Sequence, residues 1–385
     1  MQKAEKFLVP SLIVFSYHFC FRMFFAFVPI HLNRIGVTQA EIGLLFSTIP
    51  FVLLALTVPL GYMSDRYSVR SLVSAGILLL ATSIFLLRFA ENSAVMLPLF
   101  IGIGAGTAVF RTNMNSLYLK ILGISSRPLK LAVFNSLQQF GYGVGPLVGG
   151  YLLLGMDLRD IFVVSSATFI PFFILSFKLP HIKPERFSLA DYAMDLRRWS
   201  VWCFLAIVFV FGLHFGVEDV CFTLFLKKNL GLTEITIGKV FLIIAAVLVV
   251  MTLICGWFGS KAAVPRSLLY FGLLFSGASN FLMLFVHNLL QLIGVKILHV
   301  TGDAMFLLFY QIALAELFPA ARVGAPVGLA ATITIAGTLT GSLMSGALPG
   351  FALPFGVVGI LTMTMIPVAA LFSLFLKRER SKLYS

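Results

Sequence analysis

The chain has 385 residues, 59% of them hydrophobic and only 11% charged, with a formal net charge of +13. A soluble domain carries about 25% charged residues, so this composition excludes a large water-soluble core and points to a polytopic membrane protein. The basic excess invites a nucleic-acid partner, but its distribution along the chain removes that reading.

Twelve apolar segments follow in chain order: 7–31, 38–60, 70–89, 95–118, 130–154, 160–178, 200–226, 234–258, 267–286, 289–314, 324–348 and 354–376. A membrane-crossing helix needs about 20 apolar residues. Helices are required because lipid offers the backbone no hydrogen-bond partner, and these continuous runs lack the alternation of a β-barrel. The first segment has no small-residue cleavage site and runs on to Pro29, so it is expected to be a retained helix. The polar stretch 179–199 is expected to be an amphipathic cytoplasmic helix or linker, dividing the chain into bundles 1–178 and 200–385.

With the amino terminus inside, cytoplasmic segments hold nineteen of the 28 Lys and Arg residues. External loops hold Arg34, Arg88, Arg159, Lys227, Lys228 and Lys239; Arg22, Arg111 and Lys296 fall within spans. This is the positive-inside asymmetry. It predicts cytoplasmic termini, and it assigns the basic charge to orientation and to anionic lipid headgroups. Cys20, Cys203, Cys221 and Cys255 lie in or beside apolar runs without metal-binding spacing, and read as small core residues.

The chain contains an internal duplication. Residues 36–61 and 231–256 share ten of 26 positions at an offset of 195, including Gly36, Thr38, Ile42, Gly43 and Gly61. Gly141, Gly145 and Gly150 recur as Gly337, Gly341 and Gly346. Tandem six-helix halves are a transporter architecture, with the site near the bilayer midplane between them.

Four segments carry a polar pair at spacing i,i+4: His18/Arg22, Arg111/Asn115, His214/Glu218 and His299/Asp303. That spacing puts both members on one side of a helix. An ionisable group at mid-span costs about 2.5–3.5 kcal/mol on insertion scales, so four such pairs predict a polar cavity.

Between spans 2 and 3 the chain reads GYMSDRYSVR, residues 61–70. This resembles motif A of the major facilitator superfamily: Gly61, Asp65, Arg66 and Arg70 match, while Ser68 and Val69 depart from it. The resemblance implies a gating loop that locks one state of alternating access. Span 5 contains GYGVGPLVGG, residues 141–150, which is similar to the family's motif C of proton-linked exporters. Gly141, Gly145, Pro146, Gly149 and Gly150 match, and Ala132 stands where a further glycine is expected. The alternative for these residues is close helix packing. The family's motif-B arginine has no counterpart, because Pro98 occupies its place.

The resemblance implies an all-α fold of twelve helices in two pseudo-symmetric bundles, with spans 1, 4, 7 and 10 lining the cavity. The four polar pairs fall on those spans. The first half offers Arg22 and Arg111, the second Glu218, Asp219 and Asp303. Glu218 or Asp303 is the expected proton-coupling carboxylate, with Asp219, His214 and His299 as further candidates. A dry cavity favours the neutral acid and a nearby arginine the carboxylate. A fixed interdomain salt bridge is the alternative. Arg22 and Arg111 are expected to bind substrate, or else to neutralise the facing carboxylates. His18, Asn115, Gln138, Gln139, Tyr142, Tyr310 and Gln311 would add polar contacts. Lys296 is expected to snorkel to the outer surface.

The expected function is proton-coupled export of a small organic or amphipathic compound, with an anionic group as one option. Proton-coupled import of an organic anion, or a lipid scramblase or receptor on the same fold, are the alternatives. No P-loop, metal cluster or soluble domain speaks for an enzyme, and no cofactor is expected. The expected partners are substrate, protons and membrane lipids, without nucleic acid, for a monomer in a bacterial or archaeal cytoplasmic membrane.

Overall fold

The computed structural model describes residues 2–64, 67–121, 127–180, 198–259, 267–317 and 324–383, which are helical almost throughout, with no strand among them. The first half contains α1 (Gln2–Phe25), the short α2 (Val28–Arg34), α3 (Gln39–Ser64), α4 (Val69–Leu86), α5 (Ser93–Ile121), α6 (Arg127–Leu152) and α7 (Leu158–Ser176). The second contains α8 (Trp199–Val217), α9 (Glu234–Gly259), α10 (Ser267–Leu282), α11 (Leu289–Leu317), α12 (Gly324–Ala347) and α13 (Leu353–Leu383). Of the linker expected at 179–199, residues 181–197 lie outside the described residues.

The first span breaks between α1 and α2 because Pro29 has no N–H to donate and its ring collides with the carbonyl four residues back. Other prolines, such as Pro98 and Pro171, stay within helices, where neighbouring helices re-satisfy the freed backbone groups. Among the described residues, eleven helices are long and apolar enough to cross a membrane. The remaining span of the twelve expected is α6, with 26 residues. Asn135, Gln138, Gln139 and five glycines dilute its apolar character, and its close helix contacts account for the glycines.

Packing repeats between the halves. Helix α1 packs on α6 and α7 as α8 packs on α12 and α13, and the α4–α5 pair matches the α10–α11 pair. The halves meet along two equivalent seams, α6 with α9 and α3 with α12. Glycine makes both seams close. A Cβ on Gly238 would lie 2.6 Å from the Pro146 carbonyl oxygen, and one on Gly43 would lie 2.7 Å from Gly346 Cα. Lipid tails give helices little hydrophobic reason to associate, so such close approach supplies the adhesion. Each repeat also opens α3 or α9 with the same turn: Gly36 and Gly231 have φ of 87° and 64°, the left-handed region that favours glycine.

Candidate functional site

At an offset of 196 the sequence aligns His18 with His214 and Arg22 with Glu218, whereas the glycine contacts set Phe209 and Leu213 of α8 where Phe15 and Phe19 of α1 stand. Beyond Val217, α8 widens into two π-helical turns, Glu218–Phe222 and Phe225–Asn229. Such turns are frequent at functional sites. Consecutive side chains on a helix diverge by about 100°, so Glu218 and Asp219 face different neighbours. Arg22 Nη1 donates to Asp219 Oδ1 at 2.8 Å, an ion pair between the two halves whose side chains are 13% and 23% exposed. The Arg22 guanidinium also lies 3.7 Å from the ring centre of Tyr142, a cation–π contact. Arg22, Phe25 and Tyr142 from one half, with Asp219, Phe222 and Phe241 from the other, line a cavity of about 30 Å³. That volume suits one or two waters.

Glu218 turns instead toward α11. Its Oε1 accepts from Lys296 Nζ at 2.5 Å and lies 3.2 Å from His299 Nε2. Asp303 Oδ2 lies 3.3 Å from His299 Nε2 and 3.5 Å from His214 Nε2. His214 Nδ1 is bonded to the Phe211 carbonyl, and His299 Nδ1 lies 3.3 Å from Ser279 Oγ. Lys296 corrects the sequence expectation: it is 2% exposed, lies 4.3 Å from the Phe222 ring centre and does not reach the surface. The reason is electrostatic, since the buried Lys296 ammonium would be strongly unfavourable without the half-buried Glu218 carboxylate beside it.

The other expected residues scatter. His18 is half-buried, edge-on to Tyr17 with ring centres 5.0 Å apart, and Tyr17 donates to Thr107 Oγ1 at 3.2 Å. Arg111 is exposed, while Gln138, Gln139 and Tyr310 are half-buried. Tyr310 packs against Phe204. Asn115 and Gln311 belong to α5 and α11, and Gly61 to α3, but their side chains lie outside the described residues, as do Asp65 and Arg66 entirely. Arg70 donates twice to the Leu179 carbonyl, at 3.1 and 2.9 Å, tying the start of α4 to the chain beyond α7. Gly141, Gly145 and Gly149 form a column against α1, where added Cβ atoms would meet the carbonyl oxygens of Phe15, Phe19 and Met23 at 2.6, 2.6 and 2.0 Å. Gly150 and Pro146 sit on the seam with α9. Sequence reasoning missed Lys296 as a site residue, although its place three residues before His299 puts it on the same helix face.

A family model described as Major Facilitator Superfamily matches residues 11–264. The uncharacterized MFS-type transporter YhjO of Bacillus subtilis is 31% identical over 142 residues, covering 37% of this chain and 35% of that protein. The multidrug resistance protein MdtG of Proteus mirabilis is 26% identical over 164 residues, covering 40% of each. The chain thus spans about a third to two-fifths of the length of these curated relatives. Among solved structures, a bacterial homologue of the human lysosomal transporter Spinster, in an inward-facing and occupied conformation, superposes with a TM-score of 0.74 at 16% identity, covering 97% of this chain and 96% of that one.

Proposed function

The chain belongs to the Major Facilitator Superfamily, and we propose that it is a transporter working by alternating access, exporting a small organic or amphipathic compound in exchange for protons. The observation that carries this reading is the Arg22–Asp219 ion pair, which bridges the halves across a small cavity. The halves cannot rock apart without breaking it. Each charge then needs a replacement partner, because an unpaired charge in a largely buried site is unfavourable. A proton serves Asp219. Arg22 retains the faces of Tyr142 and Phe25 and gains the substrate. The aromatic lining of Phe25, Tyr142, Phe222 and Phe241 suits an aromatic or amphipathic cargo. Export is favoured by the likeness to a protein named for multidrug resistance.

The basic segments around 120–130, 178–198 and 377–382 support cytoplasmic termini, and a bacterial or archaeal cytoplasmic membrane fits that orientation. In that orientation the end of the molecule where α3 meets α12 and α6 meets α9 through close glycine contacts faces outward. A second reading rests on Arg22 itself: a guanidinium freed on opening would bind a carboxylate or phosphate bidentately, as a proton-coupled importer of an organic anion requires.

Proteoliposomes loaded with a cationic aromatic dye or with an anionic one test both readings. Export predicts dye movement that depends on an imposed pH gradient and is lost in Asp219→Asn. Gradient-driven movement of the anionic dye alone, lost in Arg22→Ala, selects the importer. Flux of labelled lipid that ignores the gradient in both variants removes the proposal in favour of a scramblase.

A further inference from the structure

The charge cluster of α8 and α11 has a geometry that the Arg22–Asp219 pair does not explain. Three contacts converge there: His299 Nε2 to Glu218 Oε1 at 3.2 Å, His299 Nε2 to Asp303 Oδ2 at 3.3 Å, and His214 Nε2 to Asp303 Oδ2 at 3.5 Å. None of them aligns as a hydrogen bond. His214 Nε2, His299 Nε2 and Asp303 Oδ1 are buried polar atoms without a hydrogen-bond partner among the described residues. Buried polar atoms left this way are rare, and each calls for a physical reason. The two histidines are 1% and 2% exposed, and Asp303 is 6% exposed.

The separations have a simple counterpart. A tetrahedral zinc site with bonds of about 2.0–2.2 Å has ligand-to-ligand edges of about 3.3–3.6 Å. The outer shell matches as well. Histidines that bind metal through one ring nitrogen usually donate the other N–H to a carbonyl, a carboxylate or water. His214 Nδ1 is engaged by the Phe211 carbonyl, and His299 Nδ1 by the hydroxyls of Ser279 and Ser276 at 3.3 and 3.5 Å. With Nδ1 protonated, each Nε2 presents a lone pair to the shared space. The ligand atoms of His214, Glu218 and His299 lie within 4.8 Å of one another, so a bound ion would require the widest of these gaps to close by about 1 Å.

We propose that His214, Glu218, His299 and Asp303 form a binding site for a divalent transition-metal ion of the zinc class, and that Lys296 is its internal competitor for Glu218. Two imidazoles and two carboxylates suit zinc or cobalt. Two carboxylates against one ammonium also leave the cluster with a negative charge to offer. The first half cannot supply an equivalent site, because the positions matching Asp303 and His299 at the offset of 196 are Thr107 and Ile103. The site lies beyond the transport reading and does not depend on the identity of the exported compound.

Cobalt(II) is the probe. Titrated into detergent-purified, tag-free protein, it is expected to give the intense visible absorption of one tetrahedral ion per chain, bleached by an equivalent of zinc. His299→Ala is expected to weaken binding by at least about tenfold, and Lys296→Met to tighten it, an effect that general damage to the fold would not produce. If a histidine variant fails to elute as a monodisperse species, X-ray absorption of the wild-type cobalt complex decides, with two imidazoles in the first shell expected. Absence of tetrahedral absorption, thiolate-to-cobalt charge-transfer bands, or affinity unchanged in both His299→Ala and His214→Ala would each overturn the assignment.

Discussion

Arg22 and its two acidic neighbours show how a single residue step decides a site. Asp219 holds Arg22 across the interface while Glu218 holds Lys296 within the second half. Removing one partner of a buried ion pair leaves an uncompensated charge and costs about 3–5 kcal/mol, an upper bound for this partly exposed pair, whereas replacing both by apolar groups is often neutral. Arg22→Ala is therefore expected to lower the thermal unfolding midpoint in detergent well below that of the double variant Arg22→Met, Asp219→Leu. Equal midpoints would mean that the pair contributes nothing beyond its packing. The sequence made the polar pairs legible because i,i+4 spacing identifies a shared helix face. It left the pairing of Arg22 open because Glu218 and Asp219 are adjacent, and spacing alone does not give the rotation of α8 about its axis. The partner of Lys296 was hidden for the same reason: snorkelling and burial differ only in which way the helix face turns.

At the scale of helices, glycine sets the distances. The column Gly141, Gly145 and Gly149 faces α1, and Gly337 and Gly341 face α8 at the carbonyls of Phe209 and Leu213, which a Cβ would meet at 2.2 and 2.0 Å. The second column repeats the first at the offset visible in the sequence, so the recurrence was legible while its purpose was not. The same residues serve a motif reading and a packing reading, and these contacts are packing. Gly76 and Gly106 recur as Gly272 and Gly302 in the same way, each closing its α4–α5 or α10–α11 pair. Gly149→Ala and Gly341→Ala are each expected to cost about 1–3 kcal/mol by overpacking, read as a lower midpoint in detergent. Gly294, within α11, has open space where its Cβ would go. Gly294→Ala is therefore expected to be neutral or to stabilise by up to about 1 kcal/mol. A drop at Gly294 equal to that at Gly149 would remove close approach as the explanation.

For the whole molecule, the two seams are fastened at the face away from the termini. Gln39 opens α3 and donates its side-chain amide to the carbonyls of Ser345, Leu348 and Gly350, at 2.7, 2.9 and 2.9 Å. These include carbonyls that the end of α12 would otherwise leave without partners. Its equivalent at the offset of 195 is Glu234, which opens α9 and pairs with Lys227 at 2.9 Å and with Arg34 of the other half at 3.6 Å. One neutral latch and one charged latch thus hold equivalent corners. Alternating access requires both to release, and a change in one shifts the balance only by its differential energy between the two states. The net worth of the Gln39 contacts is about 1 kcal/mol, so Gln39→Ala is expected to raise the population open at this face about fivefold. Spin labels at positions 35 and 353, both exposed at that end, would report it as a longer-distance component in double electron–electron resonance. Glu41→Gln is the control, because Glu41 bonds Thr38 and Ser93 of its own half and crosses no seam. A Gln39→Ala distance distribution that matches wild type would show that the seams close without this latch. A matching change in Glu41→Gln would show that the first half had loosened internally instead of parting from its neighbour.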